Sequence, residues 1–94
     1  MYSMYQITEY SKQKADELGV TIQNSTNPKK KIDIYKHGKK VCSIGSLGFG
    51  DYPTFLKEKG KSYADQRRRL YKIRHEKDRH KVGSNGWYAD NILW

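Results

Sequence analysis

Two short alternating runs, Ile32–Lys36 and Lys39–Ile44, flank His37-Gly38. This pattern commits the chain to an antiparallel hairpin. A two-residue turn needs positive φ at its centre, which glycine adopts freely and histidine less readily than asparagine. The implied register sets Lys36 opposite Lys39 and Ile34 opposite Val41. Ile32, Ile34 and Val41 then share one face, the face to bury. Val20–Gln23 also alternates and is a candidate third strand. It follows a helical pattern over Ile7–Leu18 that Gly19 stops.

The rest of the chain reads as loops and helices. Asn24–Lys31 is a polar connector with Asn27-Pro28 and three consecutive lysines. Gly45–Gly50 carries three glycines with Leu47 and Phe49 between them, a flexible or tightly turned segment. Asp51 or Tyr52 caps a short helix over Pro53–Lys59, and Gly60 ends it. The longest helical pattern runs from Lys61 to about Lys81, broken by Gly83-Ser84-Asn85-Gly86. Trp87–Trp94 is apolar enough to form a docked terminal helix. The expected fold is α+β, in one small domain spanning residues 1–94. A small antiparallel sheet, the hairpin with its candidate third strand, is packed by one long basic helix and two or three short ones.

A chain of 94 residues has a thin core. Its 8 tyrosines and 2 tryptophans help to close that core while keeping polar edges wet. The single cysteine, Cys42, excludes an internal disulfide and a cysteine-rich zinc site, and fits a reducing compartment. It lies in a strand and reads as a core residue rather than a nucleophile. No apolar run approaches the ~20 residues of a membrane span, and Met1–Gln13 has no signal-peptide core. The expected location is intracellular, or packaged from the inside of a cell.

The net charge of +9 calls for an anionic partner. Residues 61–82 carry nine basic and three acidic side chains, so most of the excess lies on the long helix. Tyr63, Ala64, Leu70 and Tyr71 mark its apolar face, with Arg67 and Arg74 between them. Those two arginines are expected in structural ion pairs with Asp51, Asp65, Asp78 or Asp90, or at a recessed phosphate or carboxylate site. Arg68, Lys72, His75 and Arg79 form an adjacent stripe suited to a row of phosphates, while Arg69 points elsewhere. Lys29, Lys30 and Lys31, with Lys36, His37, Lys39 and Lys40, make a second basic patch. It suits a nucleic-acid backbone, or protection of a sheet edge.

Catalytic signals are weak. His75 and His80 are five apart and diverge on a helix, so they cannot share a metal there. A nuclease would use His75 or His80 as base and Glu76 or Asp78 as metal ligand. Solvated charges with helical pairs such as Lys72–Glu76 explain the same cluster more simply. The glycines at 45, 48 and 50 form no phosphate-binding loop. No catalytic residue, metal site or cofactor is assigned.

Tyr63-Ala64, Arg67-Arg68, Tyr71, Arg74-His75, the glycine break, Trp87-Tyr88-Ala89 and Leu93-Trp94 carry a resemblance. Over Ile32 to Trp94 the chain resembles small uncharacterised basic proteins of large double-stranded DNA viruses, and related tailed-phage proteins. The resemblance implies a viral origin and a virion or genome-associated role. The expected function is non-enzymatic nucleic-acid binding, to DNA more than RNA, with no membrane partner. The alternatives are a structural virion or scaffold component binding other proteins or itself, and a small metal-dependent nuclease.

Overall fold

The computed structural model describes residues 5–94, so the start of the Met1–Gln13 segment lies outside the described residues. The fold is α+β, with four helices and a three-stranded antiparallel sheet of order β1-β2-β3. The chain divides between Phe49 and Gly50 into two compact units.

The first unit begins with α1 (Glu9–Leu18), which starts two residues later than its hydrophobic pattern. The Thr8 side chain accepts from the Ser11 amide, so the cap rather than Ile7 sets the start. Gly19 closes the helix with φ 72°, and the Val20 amide donates to the Ala15 carbonyl at 3.1 Å. That left-handed closure turns the chain directly into β1 (Thr21–Asn24). β2 (Lys30–Lys36) and β3 (Lys39–Ser46) complete the sheet. Their turn uses His37 at φ 53° and Gly38 at φ 78°, so both central residues are left-handed.

Lys36 pairs with Lys39 as expected, but Ile34 pairs with Cys42 rather than Val41. A bulge opposite Ile34 and Tyr35 makes Val41 the extra residue, and it is exposed. The physical reason is visible in what the shift aligns. Beyond the bulge, Ile44 faces Ile32 and is buried with it, while Ser43 faces Asp33. A regular ladder would have put Ser43 on the isoleucine face and Ile44 beside the carboxylate.

Asp33 is fully buried in the central strand. The hydroxyls of Ser25 and Ser43 each donate to Oδ1 at 2.6 Å. The Thr26 amide donates to Oδ2 at 3.1 Å, and Lys40 Nζ lies 3.4 Å from the same oxygen. Burial alone would raise this carboxyl, but the donors from Ser25, Ser43, Thr26 and Lys40 outweigh it and hold it well below the usual carboxylate range. One side chain thus ties the β1–β2 connector to β3.

The second unit contains α2 (Tyr52–Lys59), α3 (Lys61–Arg74) and α4 (Asn85–Leu93). Asp51 caps α2 by accepting from the Thr54 amide at 3.0 Å, with Pro53 in the first turn. Gly60 separates α2 from α3 at φ 91°. α3 ends at Arg74, well short of Lys81, and residues 75–84 are turns. Between Ile73 and Val82 there is no aliphatic side chain, so a continued helix would have no face to bury. Ser84 then caps α4 by accepting from the Trp87 amide.

The core of this unit is largely aromatic. Tyr71 stacks on Trp94 with centroids 4.4 Å apart, and Phe55 meets Tyr63 edge-on at 5.3 Å. Tyr52, Ala64, Tyr71, Tyr88, Ile92 and Leu93 are buried. Gly86 sits where a Cβ would come within 3.0 Å of the Asp78 carbonyl oxygen, so α4 begins hard against the preceding turns.

The low carboxyl of Asp33 has a defined consequence in acid. Its contribution to stability is full above the unfolded value near 4 and is lost as pH falls toward its folded value. The urea midpoint should therefore drop below about pH 4. Asp33→Asn should lose about 2–3 kcal/mol at neutral pH and show a shallower acid dependence, measured by urea unfolding against pH.

Candidate nucleic-acid interface

The basic stripe expected to face outward is engaged inside its unit, and of the other pair Arg74 is exposed while Arg67 packs on Phe55. Ala64 and Tyr71, seven residues apart, define the buried seam of the helix, while Tyr63 and Leu70 are exposed at 39% and 46%. This turns the helix away from the phase set by Tyr63 and Leu70. Arg68 and Lys72 swing toward acidic partners, and the outward direction passes to Arg69 and Ile73.

Arg68 lies over the Tyr52 ring, 3.8 Å from its centroid, and 3.6 Å from Asp65. Asp65 also accepts from the Tyr52 hydroxyl at 2.8 Å and from Lys61 at 2.6 Å. Those two bonds, led by Lys61, hold the Asp65 carboxyl low, and the same bond pushes the Tyr52 phenol up. Lys72 donates to Asp90 Oδ1 at 2.7 Å, and Arg79 reaches Oδ2 of the same carboxylate at 3.7 Å. Arg79 also pairs with Glu76 at 3.0 Å, and its Nε is buried with no hydrogen-bond partner among the described residues. His75 packs against Tyr71, with centroids 4.4 Å apart. Burial, aided by the Asp90 charge, pushes the Tyr71 phenol up to about 12. Arg68, Lys72, His75 and Arg79 therefore do not form one outward stripe. Arg79 lies beyond the helix, and all four are engaged inside their unit.

Neither Arg67 nor Arg74 pairs with an acidic side chain among the described residues, which corrects the expected structural ion pairs. The Arg67 guanidinium lies 5.6 Å from the Phe55 ring centroid, its Nε buried without a partner. Arg74 is exposed and its Nε donates to His75 Nε2 at 3.5 Å. The exposed cations of this unit without an acidic partner among the described residues are Arg69, Arg74, Lys77 and Lys81, with Lys57 and Lys59 on α2. The pattern signal for Arg69 was present: a helix phased on Ala64 and Tyr71 puts it on the outer face.

The lysine patch of the first unit also separates. Lys30 and Lys36 stand at opposite ends of β2, about 20 Å apart at ~3.4 Å per residue. Lys31 is 4% exposed, its ammonium 5.0 Å from the Tyr5 ring centroid, so it is no surface contact. Lys40 is turned to Asp33. Lys29, Lys36 and Lys39 are exposed and Lys30 partly so, without acidic partners among the described residues. Lys36 directly opposite Lys39 is an unfavourable like-charge pair that a bound anion would relieve.

Both carboxylate oxygens of Glu76 are occupied, Oε1 by His80 and Oε2 by Arg79, and these contacts hold the carboxyl low. Among the described residues, no three His, Cys, Asp or Glu side chains gather closely enough to hold a metal ion. Burial and the Asp33 charge push the Cys42 thiol up, which disfavours the thiolate. No described helix is long and apolar enough to cross a membrane. No protein-family model matches the chain, and neither a curated protein nor a solved structure shows significant similarity to it.

The Asp90 contacts carry a direct test. Asp90→Asn should leave Lys72 without a charged partner and Arg79 with Glu76 alone, at a cost of about 1–2 kcal/mol. The melting temperature should fall by roughly 5–15 °C. Arg69→Ala, on the outer face, should change it by no more than about 0.5 kcal/mol equivalent. Thermal unfolding followed by circular dichroism checks both.

Proposed function

We propose that this protein binds nucleic acid through its phosphates, without catalysing a reaction on it. The observation that carries this reading is the sorting of charge in the second unit. Asp65, Glu76 and Asp90 are engaged by Lys61, Arg68, Lys72 and Arg79. Of the remaining cations, four are exposed on α3 and the turns after it. Arg69, Arg74, Lys77 and Lys81 are the contacts assigned there, and Lys29, Lys30, Lys36 and Lys39 those of the sheet unit. A polyanion offsets their mutual repulsion and releases its own counterions on binding. DNA is favoured over RNA only through the viral resemblance of the sequence, which also supports a genome- or virion-associated role.

One observation favours a second reading, a scaffold component that binds protein. Leu70 and Ile73 are 46% and 63% exposed on α3, beside Arg69 and Arg74. Aliphatic side chains contribute little to phosphate recognition, and such a mixed surface also suits an apolar, acidic protein segment.

Binding to labelled DNA and RNA, titrated across salt concentration, separates the readings. The slope of log affinity against log salt should fall by roughly 0.9 for each duplex phosphate contact removed. The triple variant Arg69→Ala, Arg74→Ala, Lys77→Ala should thus lower it by roughly 2–3. Lys72→Ala should lower the melting temperature and leave the slope unchanged. Absence of salt-dependent binding, or a triple variant that binds like the parent, would overturn the proposal.

A further inference from the structure

Most aromatic rings of this chain are engaged internally. Phe55, Tyr63, Tyr71, Trp87, Tyr88 and Trp94 are in ring–ring contacts. Tyr5 and Tyr52 lie under cations, and the Tyr35 hydroxyl accepts from Gln23. Phe49 differs. It is 74% exposed and takes part in no ring contact among the described residues.

Its position is fixed by the backbone. The Phe49 amide donates to the Ser46 carbonyl at 3.3 Å, and Ser46 is the strand partner of Lys30. The Leu47 amide donates to the Lys29 carbonyl at 3.0 Å. One end of the β2–β3 ladder therefore carries an exposed ring, the half-exposed Leu47 and two lysines. The lysine side is held in place. The Lys29 amide donates to Asn27 Oδ1 at 2.9 Å, and the Asn27 amide to the Ser25 hydroxyl, which is itself bound to Asp33.

We propose that this sheet end is a platform for single-stranded nucleic acid, with a base stacked on Phe49 and the flanking phosphates on Lys29 and Lys30. The assignment rests on the nucleic-acid reading above and narrows its ligand. A ring beside cations matches the two surfaces of a single strand, an apolar base face and a charged backbone. A duplex hides its base faces in the stack, so Phe49 gains nothing there unless a base is flipped out. The Lys29–Lys30 pair also argues against a second copy of the chain seated here, since like charges would meet.

The test uses the full chain and a fluorescein-labelled DNA 20-mer of mixed sequence, single-stranded and as its duplex, read by anisotropy at fixed salt. Phe49→Ala should weaken single-strand binding about tenfold, leave duplex binding unchanged, and keep the melting temperature. Phe49→Trp should restore single-strand affinity. The joint Lys29→Ala, Lys30→Ala variant should lower the single-strand salt slope by roughly 1.4, at 0.7 per contact. Unchanged single-strand affinity in Phe49→Ala, or an equal loss on duplex, overturns the platform while leaving the phosphate-binding reading intact. A parent chain that binds neither form in a salt-dependent way overturns both.

Discussion

Asp33 holds the sheet unit together by being both buried and saturated with donors. A carboxylate in that position is tolerable only because hydroxyls, an amide and an ammonium converge on it. Meeting that demand fixes the connector before β2, selects Ser43 as the facing residue and draws Lys40 back from the hairpin tip. In the helical unit Asp90 ties Lys72 of α3 and Arg79 of the following turn to α4, and Asp65 joins Lys61 and Arg68 of its own helix to the Tyr52 hydroxyl. With 10 acidic side chains against 19 lysines and arginines, the carboxylates engaged internally leave too few to neutralise the exposed cations that remain. Architecture and surface charge are thus two outcomes of one scarcity.

The hairpin, the glycine stops and the cap of α2 were legible in the sequence because each depends on local chemistry. Gly19, Gly60, Asp51 and the His37-Gly38 turn determine their own backbone. The length of α3 was not legible. Its helical spacing of charges continues past Arg74, and only the lack of a buried face beyond Ile73 ends it. The bulge was equally hidden, since it answers to the burial of Ile44 and the needs of Asp33, both matters of tertiary contact.

The candidate interface was legible as a quantity of charge and not as a set of residues. Helical spacing placed Arg68 and Lys72 together correctly, yet could not say which stripe faced water. That choice fell to Asp90, 18 residues further on, and to the Tyr52 ring on the preceding helix. Lys31 and Lys40 show the same limit in the sheet unit: adjacent lysines have different environments because strand residues alternate between faces. Phe49 sits between two glycines, with no helix or strand of its own to turn it inward. That local signal was present, but its chemical meaning came from the neighbouring lysines across the ladder.

The extra residue at Val41 has a consequence for how such sequences diverge. On the far side of the bulge, Ile32, Ile34 and Ile44 must keep their phase to stay buried. On the near side, Lys36 pairs with Lys39 and Tyr35 with Lys40. A deletion at position 41 would join the two halves into a single ladder and keep every pair on both sides, with Ile34 still opposite Cys42 and Asp33 opposite Ser43. What is constrained is therefore the pairing beyond the bulge, and not the length of the strand that carries it. Related chains can lose the residue at position 41 and still set a hydroxyl opposite Asp33.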